Sequence, residues 1–235
     1  MSEVSKHGAA TPREQLPIVQ TRQGMFGVHD AGDTSGFGGL TKHERIHGQT
    51  EQPFGSWFDE VYEVLREVLE EQGLNPDEVI EFAVVAVGEF TLHIAAQHIE
   101  AVCLALRDEQ DLRFELCLGV SGVHYPQDTG RELHAVYHLM SLTHGGRVLR
   151  LEVSVPDEHP HIPTVVDVYP GNDWQERETW DLFGIVFDGH PALTRTAMPD
   201  DWVGHPQRKD YPLGGIPVEY KGATVPPADT RRNYS

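Results

Sequence analysis

The chain has 235 residues, with 18 lysines and arginines against 37 aspartates and glutamates, a formal charge of −19. That excess of acid excludes a generic nucleic-acid binder, which needs a basic stripe to follow phosphates. At 39% hydrophobic and 23% charged residues, the composition is that of a globular chain with a packed core, long enough for one domain with extensions or for two small ones.

Cys103 and Cys117 are the only cysteines. They are too few for a disulfide scaffold or for the four-thiolate shell of an iron–sulfur cluster, and both read as small core residues. The longest strictly apolar run, Phe82 to Val87, is far below the roughly 20 residues of a membrane-spanning helix. Met1 to Ala10 lacks the apolar region of a secretory signal. A cytoplasmic chain is expected, attached to any membrane only through other subunits.

Residues 1–55 hold nine of the 23 glycines and no sustained hydrophobic period, which predicts an N-terminal arm. Ser56, as an N-cap with Asp59 three positions on, opens a predicted helix carrying Phe58, Val61, Leu65, Val68 and Leu69 and ended by Gly73. Its acidic outer face, including Glu60, Glu63 and Glu67, reads as solvated surface. Phe82 to Val87 and Phe90 to Ile94 predict a hairpin turning at Gly88-Glu89. Ala95 to Arg107 carries Ile99, Val102, Cys103 and Leu106 at helical spacing. Phe114, Leu116, Leu118 and Val120 then alternate with Glu115, Cys117 and Gly119, predicting a strand with one apolar face. Runs at Leu133 to Leu142 and Val148 to Val155, parted by Gly145-Gly146, complete an antiparallel meander. The resulting class is α+β, a mainly antiparallel sheet with helices packed on one face, for a core domain at 56–188.

Asp173 to Phe183 predicts one more helix, followed by Ile185 and Phe187 in strand alternation. Seven of the 16 prolines fall within residues 189–235, which predicts a long extended C-terminal tail. From Trp202 onward the charge is +2 while the remainder carries −21, so the tail differs electrically from the body.

His43-Glu44-Arg45-Ile46-His47 is a formal match to H-E-x-x-H, in which a helix presents two imidazoles to zinc and the Glu acts as general base. Gly48 and Pro53 crowd such a helix, and Thr50 and Pro53 stand where the extended motif requires Gly and a third His. A third ligand would have to be Glu60, Glu63 or Glu67. Gly119-Val120-Ser121-Gly122-Val123 lacks the final Gly of a nucleophile elbow, and neither a Walker loop nor G-x-G-x-x-G is present. Glu158-His159-Pro160-His161 reads as a proline-flanked surface loop.

The segment from Trp174 to Ile185 alternates charges tightly with Trp and Phe. Some charge must then lie beside buried aromatic surface and needs a partner. As a helix it places Arg177 and Asp181 at i, i+4, and the mixed surface suits an interface. Glu176-Arg177-Glu178, Asp181-Leu182-Phe183-Gly184-Ile185, Phe187, Gly189-His190-Pro191, Leu193, Arg195, Trp202, Gly204-His205-Pro206 and Arg208-Lys209-Asp210-Tyr211-Pro212 resemble the signature of the C subunit of proton-pumping NADH:quinone oxidoreductase, respiratory complex I. The sequence departs from that signature at Gly171-Asn172, His124, Thr194 and Gln207.

The resemblance implies a non-redox subunit of the cytoplasmic arm, on the cytoplasmic side of the membrane, binding no cofactor itself. The complex would carry FMN, iron–sulfur clusters and quinone, and the neighbours would be the quinone-site and adjacent iron–sulfur subunits. No catalytic residue is carried over. Glu176, Arg177, Glu178 and Asp181 are expected as ion-pair or helix-orienting groups, with Trp174, Trp180 and Phe183 as apolar anchors. His190, Arg195, His205, Arg208, Lys209 and Asp210 are expected to fix the tail to a partner, with Gly184, Gly189, Pro191, Trp202, Gly204 and Pro206 completing the signature. The equivalent subunit of a membrane-bound hydrogenase shares part of the pattern. A zinc hydrolase built on His43, Glu44 and His47 is the reading from another class.

Overall fold

The computed structural model describes residues 18–23, 41–45, 48–211, 218–220 and 223–225. It begins with an antiparallel hairpin of β1 (Ile18–Gln23) and β2 (Thr41–Arg45). Helix α1 (Phe58–Glu71) forms where Phe58, Val61, Leu65 and Leu69 recur at helical spacing, and these four are its buried residues. Its start differs from expectation. Ser56 takes φ 60° outside the helix, and the N-cap residue is Trp57, which makes no side-chain cap. Asp59 instead turns back, accepting the Phe54 and Gly55 N–H groups at 2.8 and 2.7 Å, so a first-turn carboxylate both favours the helix dipole and fixes the entering loop. That loop belongs to the core. Phe54 is buried, and Thr50 bonds through backbone and hydroxyl to Ala83 and Val85, ahead of the expected boundary at 56.

After the short helix α2 (Pro76–Val79) come β3 (Ile80–Ala86) and β4 (Glu89–Ile94). Their turn is Val87-Gly88, one residue earlier than predicted, with φ of 54° and 81°, the two positive angles of a type I′ loop. Helix α3 (Ile99–Asp108) leads to the meander β5 (Leu116–His124), β6 (Leu133–Ser141) and β7 (Arg147–Val155). The five strands order as β3-β4-β7-β6-β5 and are antiparallel except for β4 with β7, where Phe90 to His93 run parallel beside Leu149 to Glu152. The chain reaches β7 from the far edge of the sheet, which reverses its direction relative to a hairpin partner.

Leu92, Leu133, Tyr137, Leu139, Leu149, Leu151 and Val153 form one fully buried sheet face, in a single cluster with Leu65 and Leu69 of α1 and Val102 and Leu106 of α3. Each such side chain contributes on the order of 2 kcal/mol of transfer free energy. The strand predicted from Phe114 needs correcting. Phe114 is buried ahead of β5, whereas Leu116 and Leu118 are 41% and 48% exposed. The register slips between Cys117 and Gly119, and Leu116 pairs with Met140, which pairs with Val148, on the opposite side of the sheet from the core.

Two short parallel strands, β8 (His161–Pro163) and β9 (Val186–Asp188), flank helix α4 (Asp173–Phe183). Residues 189–211 follow as turns and bends without helix or strand, and β10 (Val218–Tyr220) pairs with β11 (Ala223–Val225). Among the described residues no helix is long and apolar enough to cross a membrane.

Candidate functional site

Helix α4 has the predicted span, closed at Gly184 with φ +82°. It buries two carboxylates, Glu176 and Asp181, on a helix whose other buried residue is Thr179. Both are partnered inside the chain. Glu176 accepts from the Thr164 hydroxyl and, at 2.8 Å, from the Val165 N–H, so it clasps the residues just after β8. Burial lifts its pKa to about 7 against those two hydrogen bonds, with Asp173 adding to the rise.

Asp181 is more heavily bonded. Its Oδ1 lies 2.6 Å from Arg195 Nη1, and its Oδ2 accepts three consecutive backbone N–H groups, Thr196, Ala197 and Met198, at 2.8–2.9 Å. Burial would raise this carboxyl, but the N–H groups and Arg195 outweigh it and hold the pKa down to about 2. Arg195 goes on to donate to the carbonyls of Trp202 and Gly204 and lies over the Trp180 ring, 5.5 Å from its centroid.

The pair expected within the helix, Arg177 with Asp181, does not form. Arg177 instead reaches Thr194 through its carbonyl and hydroxyl, stands 3.7 Å from Asp173 and covers the Trp174 ring at 4.6 Å. The i, i+4 order explains the choice, because a carboxylate on the N-terminal side of the cation is the favourable arrangement.

The end of α4 is capped by the segment that follows. His205 Nδ1 donates to the Asp181 carbonyl at 3.0 Å and the Gln207 N–H to Leu182 at 3.0 Å, satisfying carbonyls that a helix end leaves free. A Cβ on Gly184 would come within 2.6 Å of the His205 ring, and one on Gly204 within 2.8 Å of Tyr211, so glycine serves close approach at both positions. His190 donates to the Asp173 carbonyl at the other end of the helix. Further on, Arg208 pairs with Asp157, and the Lys209 N–H donates to buried His124 at 2.9 Å. Thus His190, Arg195, His205 and Arg208, expected to hold a partner, are bonded to their own domain, and residues 189–211 form a strap over α4. Proline content predicted the absence of regular structure there, and the backbone acceptors that hold the strap left no sequence pattern to read.

Potential metal ligands are similarly engaged. His124, Asp157 and Asp210 bring ligand atoms within 4.8 Å of one another. His124 Nδ1 already accepts the Lys209 N–H, and the Arg208 guanidinium sits on Asp157. His43 and Glu44 stand on strand β2, not the helix that the zinc motif requires, and His43 is bonded to Thr21. His47 lies outside the described residues. Of the two thiols, Cys103 is buried, and that burial pushes its pKa well up, while Cys117 is half-buried. What this region turns outward is Trp174, 64% exposed, Val203, 85% exposed, and the side chains of Glu178, Lys209 and Asp210.

Comparison with known proteins places the chain. Residues 92–217 match the family model of the respiratory-chain NADH dehydrogenase 30 kDa subunit. The chain is 64% identical over 217 residues to the C subunit of the NADH-quinone oxidoreductase of Streptomyces coelicolor, covering 92% of this chain and 86% of that one. It is 57% identical over 233 residues to the corresponding C subunit of Nocardioides sp., covering 99% and 92%. A solved trypsin-resistant fragment of Nqo5 is 29% identical, with a TM-score of 0.42 over 55% of this chain and 98% of that one. The chain therefore belongs to the family of the 30 kDa subunit of respiratory-chain NADH dehydrogenase.

Proposed function

We propose that α4 and its strap are a docking platform, by which the chain is held against the quinone-site and adjacent iron–sulfur subunits on the cytoplasmic side of the membrane. Family membership makes the chain a peripheral subunit of an NADH:quinone oxidoreductase, whose FMN, iron–sulfur clusters and quinone are carried by the complex and not by this chain. One observation supports the docking reading above the others. The charged signature residues serve to rigidify the platform, while a large aromatic, Trp174, is left exposed and stacked by Arg177. Exposed tryptophan beside arginine is the composition of an interface anchor, and a platform fixed beforehand loses little entropy on docking.

The test is Trp174→Ala in the organism's own complex, purified from membranes in mild detergent. The expected result is a several-fold fall in the amount of this chain recovered with the complex, with the melting temperature of the purified chain unchanged. Recovery of the normal amount would overturn the platform. Arg177→Lys, which keeps charge but loses the planar stack and the fork to Thr194, should reproduce part of the loss.

A further inference from the structure

The sheet face turned away from α1 and α3 carries polar side chains in register. Phe82, His93, Glu152 and Val136 stand side by side on β3, β4, β7 and β6. The next row brings Val84, Thr91 and Arg150 together. With the turn between β5 and β6, these strands wall a cavity of about 450 Å³.

The charges in it are unevenly matched. Arg131 pairs with Glu81 at 2.9 Å and Arg150 pairs with Glu89, so both guanidiniums are taken by rim carboxylates. Glu152 and Asp128 are left with imidazoles. His134 Nδ1 lies 2.7 Å from Glu152, His134 Nε2 3.5 Å from Asp128, and His93 Nε2 3.8 Å from Glu152. Burial lowers the His93 pKa to about 4, against the pull of Glu152, so its ring is neutral at pH 7. His93 and His134 are both buried, and His93 Nδ1, the acceptor nitrogen when Nε2 carries the proton toward Glu152, has no hydrogen-bond partner among the described residues. Buried polar atoms of this kind normally find one. On the same face, Val84 and Ala86 of β3 present an apolar stripe, next to Phe82, whose ring is covered by the His93 ring and the Arg131 guanidinium.

We propose that this cavity seats a lysine or arginine side chain from another subunit of the complex, its cationic end against Glu152 and Asp128 and its stem along Val84 and Ala86. Such side chains bury an aliphatic stem while keeping the charge paired, which matches an acidic pair and an apolar stripe on one face. The inference rests on membership of a multisubunit complex and is independent of the α4 platform.

A photo-reactive phenylalanine analogue at Tyr125, on the cavity rim, tests it in the purified complex. The expected adduct lies on a segment of another subunit with a lysine or arginine beside the attachment point. An adduct to residues 1–47 of the same chain, to a second copy, or to a segment without a basic residue overturns it, as does the absence of any adduct. The same analogue at Trp174 reports on the platform separately, so the two readings can fail independently. As a second measurement, the Glu152→Gln and Asp128→Asn double variant keeps shape and hydrogen bonding but removes both charges. It should release the chain from the complex at lower salt than the unaltered chain, and an unchanged salt threshold would overturn the proposal.

Discussion

Asp181 and Glu176 sit on one helix, both without solvent contact, and respond to pH in opposite directions. Asp181 has three N–H donors and a guanidinium, so its pKa of about 2 lies below the unfolded value of 3.8. Its contribution is complete above the unfolded value and is lost as pH falls through about 2. Asp181→Asn should cost about 3 kcal/mol at pH 7, because Arg195 then loses its counter-charge while remaining largely buried. A denaturant midpoint checks the size, and faster hydrogen exchange at residues 195–198 would show that the strap has loosened. Glu176 has two donors and no cation, so its pKa rises from 4.5 to about 7. A raised carboxyl means that the folded state binds more protons than the unfolded one between those values, and stability falls as pH climbs through them. Glu176→Gln, whose amide can still meet Thr164 and Val165, should flatten that fall, worth up to about 3 kcal/mol. A melting temperature that declines from pH 5 to pH 8 as steeply in the variant as in the unaltered chain would exclude this account.

The junction of α4 with its strap turns on Gly184, which meets two demands. Its φ of +82° favours glycine, and the His205 ring occupies the space a Cβ would need. Gly184→Ala should therefore cost well over the roughly 1 kcal/mol of a simple left-handed cap, whereas Gly171→Ala, with open space and no positive φ, should be near neutral. Equal midpoints for the two variants would remove the argument for close approach. The same junction shows where a sequence can be read and where it cannot. The span of α4 was legible because a glycine stop follows an amphipathic run, and α1 and the hairpin of β3 with β4 were legible from period and turn chemistry. Parallel pairing of β4 with β7 was not, since register between distant strands leaves no local mark. In β5 the apolar alternation of Leu116 and Leu118 was real, but it faces away from the core, and alternation alone does not say which side is covered. The signature residues were found as a set, yet their partners were not. Asp181 is held mainly by backbone N–H groups of residues 196–198, and any residue except proline supplies those.

Across the chain, the strap ties together parts that the sequence keeps far apart. Arg195 and His205 fasten it to α4, Arg208 reaches Asp157 beyond β7, and Lys209 reaches His124 at the end of β5. The five-stranded sheet does not depend on these bonds, because its core is closed by α1 and α3. Helix α4 does depend on them, since without the strap Asp181 loses its cation and three N–H donors, and two terminal carbonyls lose theirs. Ending the chain after Asp188 instead of after Tyr211 should therefore act unevenly. Amide exchange in β4, β6 and β7 should stay slow in both, while that of α4 rises by orders of magnitude in the shorter chain, consistent with losing a charge pair and a cap together. The shorter chain should also fail to join the complex, because Trp174 would then sit on a helix that is no longer held in place. If α4 kept its protection without residues 189–211, the strap would be a passenger and the rigidity of the platform would have to come from the packing of α4 on β5 and the Glu176 clasp on Thr164 and Val165.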